Sequence, residues 1–443
     1  MNVKWWRNVL FASAITVPLA PTVHADNEPS DVAQARSTSS DRTEPVIFVG
    51  PAGKTLVSKE STTPIGPGIK LASFERFDAR GWLNGEVMTI NLGNDSISTD
   101  ILNPGSVSSA KPLSEMAKEA GAIAGVNGDF FDINNTNAPL GTVVSKGEMV
   151  KGPQGSHTLT ASVDKNGLGH ISNILLDGKV KLPSGEITLD ALNQYAISKD
   201  GIGLYTSVWG SAGRSQDGSP VYEVIVVDGK VTTVEEGAGN GAIPENAFVL
   251  VGREKGAEAL KALSVGDEVS VEYAPKTDID VSFAVGGNIK LVESGAVISN
   301  LDDTTSAPRT AVGFSEDRKT MILAAVDGRQ TDSRGMTFKE LAELMKEYGA
   351  HYALNLDGGG STTMVAQNPG TKDVKVVNQP SDGTERSVPN GIGIFAKGGS
   401  GELKSFAVNT AFKSDMSNRV FPGLTRTFIG LGHDEKLLSR SSW

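Results

Sequence analysis

The segment 308–366 constrains the fold more than any other part of the chain. Met321–Asp327 is a continuous apolar run closed by an Asp, as expected of a buried strand. Thr337-Phe338-Lys339-Glu340 is a capping box, with Thr at the cap and Glu three residues on. Phe338, Leu341, Leu344, Met345 and Tyr348 fall on one helical face, and Gly349 ends the helix. His351–Asp357 is a second buried strand. Strand, helix, strand predicts a βαβ unit with a right-handed crossover. Asp327 and Asp357 then end two parallel, potentially neighbouring strands, and ligands bind just outside such ends.

Asp357 opens LDGGGSTTM (356–364). Glycines let a backbone approach a ligand closely and turn its N–H groups toward an anion. Gly358, Gly359, Ser361 and Thr362 are therefore candidate ligand contacts. PRTAVGF (308–314) places Arg309 just before a strand, and VDGRQ (326–330) places Arg329 just after one. A guanidinium fork matches phosphate oxygens.

The helix-to-Asp pattern recurs 228 residues earlier. Glu115, Lys118, Glu119, Gly121, Ala122, Asn127 and Asp129 match Glu343, Lys346, Glu347, Gly349, Ala350, Asn355 and Asp357. If the repeat is structural, its two Asn-x-Asp ends share one cleft. The loop VNGDFFD (126–132), with Asn134, Asn135 and Asn137 nearby, leaves a divalent cation such as calcium open as a ligand. No cofactor is required by the pattern. Of the five histidines, His157 is the best placed to move a proton.

Elsewhere the chain reads as short strands and turns. Hairpins are predicted at Lys146-Gly147 and Asn166-Gly167, and a short helix over Pro112–Ala120. The fold class is α+β (mixed α/β): mixed sheets, many hairpins and a βαβ unit carrying the site. Residues 237–278 read as a small inserted subdomain. The domain proper spans 66–397, and 398–443 reads as a linker and the truncated start of another module. Residues 26–65, rich in Ser, Thr, Asp and Pro, read as a disordered linker.

The N-terminus reads as a secretory signal over residues 1–25. Lys4 and Arg7 precede the apolar Val9–Ala20, and Val23-His24-Ala25 offers a cleavage site. This predicts a secreted, extracellular protein with no membrane span after cleavage. The formal net charge of −11 argues against nucleic acid as a partner. There is no cysteine, which excludes disulfides and thiolate chemistry.

Glycosidic cleavage needs stabilisation of charge at the anomeric carbon, usually from carboxylates. A phosphate leaving group needs cations and N–H donors more than a strong acid. Carboxylates, arginines and a glycine loop together suit both demands. The motifs VNGDFF, YTSVWG (205–210), IPENAFVLVG (243–252), PRTAVGF, VDGRQ, LDGGGSTTM and VPNGIGIF (388–395), in that order, resemble the phosphodiester glycosidase family. The resemblance covers roughly 70–397. It implies hydrolysis of a sugar-1-phosphodiester to free sugar and phosphomonoester. It also implies a site drawn from Asn127, Arg309, Asp327, Arg329, Asp357, Gly358, Gly359, Ser361 and Asn390. Beyond what the resemblance implies, Asp357 would stabilise the oxocarbenium-like centre or act as base or nucleophile, and Asp327 or His157 would move the proton. Arg309 and the 358–361 backbone would hold phosphate. A bacterial surface or wall polysaccharide is the expected substrate. A metal-dependent phosphodiesterase and a glycan-binding surface module are the competing readings.

Overall fold

The computed structural model describes residues 55–410, 425 and 427–437. The expected signal segment and the start of the expected linker lie outside the described residues, as do 411–424 and 438–443. The last part of that linker is a strand, β1 (Val57–Gly66), paired antiparallel with β2 (Ile69–Asp78). β1 is a sheet edge, and Lys59–Pro64 are exposed on it. Backbone pairing alone makes this strand, so its polar composition concealed it.

The scaffold continues with β3 (Gly81–Asn91), β4 (Ile97–Leu102), α1 (Leu113–Ala120) and β5 (Ala124–Asn127). The site region adds β6 (Ile289–Glu293), β7 (Arg309–Phe314), β8 (Thr320–Val326) and α2 (Phe338–Glu347). It closes with β9 (Tyr352–Asn355), β10 (Met364–Gln367) and β11 (Gly391–Ala396). One eight-stranded sheet runs β1-β2-β3-β8-β7-β9-β6 and ends in Ala296–Val297. A five-stranded sheet runs Val374–Val376, β10, β5, β11, β4. Further sheets, antiparallel except for the short parallel pair of Ala191–Leu192 with Ile202–Tyr205, fill 143–286, so the architecture is α+β with strands predominant. Residues 237–278 supply strands Ala247–Arg253 and Ser270–Lys276, which pair with strands from 175–227.

The capping box forms as the sequence predicts: Thr337 accepts from the Glu340 N–H, and Glu340 accepts from the Thr337 N–H. The strands flanking α2 are not neighbours. β8 and β9 each pair antiparallel with β7, which lies between them. They run the same way, but PRTAVGF has inserted itself as the middle strand.

The same arrangement occurs a second time. β4 and β5 flank α1, and β11 lies between them, antiparallel to both. The correspondence extends to single hydrogen bonds. Gly121 and Ala122 donate to Lys118 and Ala117, as Gly349 and Ala350 donate to Lys346 and Met345. Gly128 donates to Asn390 as Leu356 donates to Thr310. The internal repeat is therefore structural, and β11 is the counterpart of β7.

One buried core joins these sheets. Met88, Ile90, Leu323, Phe314 and Leu354 of the eight-stranded sheet meet Ala124, Val126, Ile392 and Ile394 of the five-stranded sheet. The opposite face of the larger sheet takes Leu341, Leu344 and Met345 of α2, and α1 buries Leu113, Met116 and Ala117 in the equivalent way. Each large apolar side chain so buried contributes about 1.5–3 kcal/mol. Among the described residues, no helix is long and apolar enough to cross a membrane.

Gly121 and Gly349 end the two helices with φ of 73° and 95°, and an added Cβ would meet nothing at either. The cost of Ala at either position is therefore backbone strain alone. Gly121→Ala and Gly349→Ala should each lower unfolding free energy by about 1–2 kcal/mol, by similar amounts and additively, in urea titrations.

Candidate active site

The two Asn-x-Asp ends meet. Asn127 Nδ2 donates to the Asp357 carbonyl at 2.7 Å, and the Asp357 N–H donates to the Gly128 carbonyl at 3.0 Å. Asn127 Oδ1 accepts from Thr310 Oγ1 and the Thr363 N–H. Asn127 is 1% exposed, so it ties the two sheets together rather than facing solvent. Thr362 Oγ1 lies 3.3 Å from Thr310 Oγ1, within hydrogen-bond reach, in the same buried seam.

Outside this seam lies a cleft of about 260 Å3. Asp357, Gly358, Gly359 and Gly360 form one wall. Arg309, Arg329 and Arg386 also line it, with Asn288, Asn355, Phe130 and Phe338. The cleft thus brings Asp357, Gly358 and Gly359 together with Arg309 and Arg329, as the sequence suggests.

Each wall residue is held by local chemistry. Arg309 Nε donates to the Met336 carbonyl and Nη2 to the Thr305 carbonyl, both at 2.9 Å. Its guanidinium lies 3.9 Å from the centroid of the Phe338 ring. Arg329 follows β8 with φ of 61°, a turn conformation that carries its side chain to the glycine loop. Arg386 is held by Asp382, Nε to Oδ2 at 2.9 Å. A side chain on Gly360 would overlap Arg386 and Asp382, and one on Gly358 would approach the Pro308 carbonyl within 2.7 Å. The glycines are therefore needed for the arginines and β7 to close around the loop.

Burial pushes the Asp357 carboxyl up to about 6, against the opposing pull of the Ser361 hydroxyl, Arg386 and the Gly358 N–H. Ser361 is wholly buried behind the loop and acts on Asp357 from there. Burial lowers the Arg309 pKa, opposed by Asp302 and reinforced by Arg329. Arginine nevertheless stays charged in proteins.

The other expected residues lie apart from the cleft wall. Asp327 is 5% exposed, and its Oδ1 accepts from Asn378 Nδ2 and the Gln379 N–H. Asn378 links it to the glycine loop by also donating to the Thr362 carbonyl. Asp327 itself lines a different cavity. Asp129 is 2% exposed and accepts from the Gly141 N–H at 2.6 Å. Burial raises its pKa, opposed chiefly by the buried Lys151, whose Nζ donates to the carbonyls of Leu140, Gly141 and Gly152. Asn390 Oδ1 caps the Asp129 N–H from behind. His157 is not among the cleft residues, and its pKa is lowered by burial and then by Lys151. In the Asx-rich loop, both Asp132 oxygens accept internally, from Asn135 and Thr136.

Sequence reasoning missed Arg386, Asn288 and Lys151. Arg386 sits in a polar loop without periodicity, and only its proximity to VPNG could have drawn notice. Asn355 was visible as the repeat partner of Asn127.

Residues 222–395 match the phosphodiester glycosidase family. A stretch of 88 residues is 38% identical to N-acetylglucosamine-1-phosphodiester alpha-N-acetylglucosaminidase of Mus musculus, covering 18% of this chain and 17% of that protein. Another of 81 residues is 37% identical to the SPbeta prophage-derived uncharacterized protein YomE of Bacillus subtilis, covering 18% of this chain and 12% of that protein. The chain thus spans less than a fifth of either relative. The crystal structure of a hypothetical protein from Synechocystis shares the fold, with a TM-score of 0.64 at 22% identity over 76% of this chain and 68% of that one.

The raised Asp357 pKa fixes a pH effect on stability. The unfolded carboxyl titrates near 3.8 and the folded one near 6. Between those values the folded state binds more protons, so stability falls as pH rises through the window and the penalty is constant above it. Asp357→Asn should therefore raise unfolding free energy at pH 7.5 by roughly 3 kcal/mol, with the gain vanishing below about pH 3, in denaturant titrations across pH.

Proposed function

We propose, for a chain whose residues 222–395 belong to the phosphodiester glycosidase family, that it hydrolyses the glycosidic bond of sugar-1-phosphodiesters. The observation that carries this reading is one half-buried carboxylate, Asp357, facing a cleft lined by three arginines. The arginines supply what a departing phosphate requires, and the carboxylate supplies what a developing oxocarbenium centre requires. The mouse relative's name makes an N-acetylglucosamine-α-1-phosphodiester the first substrate to try.

In the proposed reaction, water adds to the anomeric carbon and the bond from that carbon to the phosphate oxygen breaks. The sugar leaves with a free anomeric hydroxyl and the phosphate as a monoester anion. Asp357, ionised above about pH 6, stabilises positive charge at the anomeric carbon or takes the proton from water. Arg309, Arg329 and Arg386 hold the phosphate. The two bonds that Arg309 already makes to main-chain carbonyls fix its plane and leave its other N–H groups for a ligand. Asp327 serves as a support here, holding Asn378 and through it the glycine loop. The reaction is proposed to need no metal, and the expected setting is outside the cell, on a phosphodiester-linked bacterial glycan.

The test is turnover of a GlcNAc-α-1-phosphodiester with and without EDTA. Free GlcNAc and phosphomonoester should appear in both, with the rate rising through about pH 6 as Asp357 ionises. Arg386→Ala should lower kcat/KM by about 10²-fold, and Asp357→Asn should abolish turnover. Release of GlcNAc-1-phosphate would mean cleavage at phosphorus and overturn the reading.

A further inference from the structure

A second and larger cavity, of about 410 Å3, opens against β1, β2, β3 and the end of β8. Asp327 and Glu86 form its acidic wall, with Glu60 and Glu75 toward the mouth. Lys59 is its one basic lining residue, and its Nζ is taken by Glu75 at 3.2 Å. Among the described residues, no ion pair reaches Glu86 or Asp327.

Asp327 is 5% exposed, and its Oδ2 accepts no hydrogen bond among the described residues although its Oδ1 accepts two. Glu86 Oε2 accepts from Ser73 Oγ at 2.6 Å, leaving Oε1 free. Asn84, also on the wall, has a buried Oδ1 without a donor. The wall thus presents three acceptor groups and an unneutralised negative charge. A metal ion fits poorly, since no three acidic or histidine side chains among the described residues are arranged to share one. A primary ammonium offers three donors in a compact head and suits acceptors spread around a roomy cavity.

We propose that this cavity binds a small polar molecule through a protonated amine held by Glu86 and Asp327. The site is separate from the Asp357 cleft, although Asp327 also supports the glycine loop through Asn378. Burial, and then the charge of Asp327, pushes Glu86 up to about 8, while burial pushes Asp327 up to about 6. At pH 7 Glu86 therefore carries a proton in the empty site, and an entering ammonium displaces it. The charged groups facing Glu86 are Asp327, Glu60, Glu75 and Lys59.

Glucosamine and N-acetylglucosamine, which share a ring and differ in the amine charge, are matched probes for calorimetric titration of the full chain at pH 7. Glucosamine should bind saturably and at least about 10-fold more tightly than N-acetylglucosamine. Its heat should vary with buffer as release of about one proton per amine requires. Glu86→Gln should weaken it about 10-fold, and Asp357→Asn should leave it unchanged. Equal affinity for the two sugars, no binding, or indifference to Glu86→Gln would overturn the proposal. Loss of binding in Asp357→Asn would move the amine into the other cleft and equally overturn it. None of these outcomes bears on phosphodiester turnover, so the two readings fail separately.

Discussion

The Asn127 side chain is the joint on which the site depends. It is one amide, wholly buried between two sheets, with its nitrogen on the Asp357 carbonyl and its oxygen on Thr310 and Thr363. A buried amide left unpaired costs about 1–3 kcal/mol, so the seam favours one register between the strands it crosses. That register sets where Asp357 ends, where the glycine loop begins and where β7 delivers Arg309. The core on either side is apolar and would tolerate small slips, whereas a network with both ends satisfied would not.

Around that joint the molecule concentrates charge it cannot easily solvate. Asp357, Asp327, Asp129 and Glu86 all have raised pKa values, and burial is the leading cause in each. Each has a different remedy: the Ser361 hydroxyl and Arg386 for Asp357, an asparagine and a backbone N–H for Asp327, the buried Lys151 and a backbone N–H for Asp129, and a serine hydroxyl for Glu86. Carboxylates held near neutral titration are able to exchange protons at physiological pH, which structural ion pairs on a surface do not do. The stability sacrificed in burying them is concentrated where the chain could do chemistry.

Much of the site's frame was legible because it is written in local rules. The capping box, the Gly stops and the hairpin turns follow from hydrogen bonding and backbone sterics within a few residues, and they appear where the sequence puts them. The 228-residue correspondence was legible too, since the same helix end feeds the same strand twice. Strand order was not. β7 pairs with β8 as a hairpin across residues 315–319, but its other edge takes β9 from beyond α2, and no local signal encodes that second pairing. The arginine from residue 386 is held in the cleft by Asp382, four residues before it, and fits there because Gly360 of the glycine loop carries no side chain. Asp327 ends the expected strand, but β7 and Asn378 lie between it and Asp357.

The pairing of α1 with α2, and of β11 with β7, has an evolutionary consequence. Two halves that share helix C-terminal caps, strand order and a closing Asn-x-Asp can be generated from one ancestral half assembling with a copy of itself. In such an assembly both aspartates would have been equivalent. Here one faces a cleft and the other is sealed beneath Gly141 and Lys151. Fusion into a single chain removes the demand that both copies stay alike, so one half can specialise as foundation while the other keeps the opening to solvent.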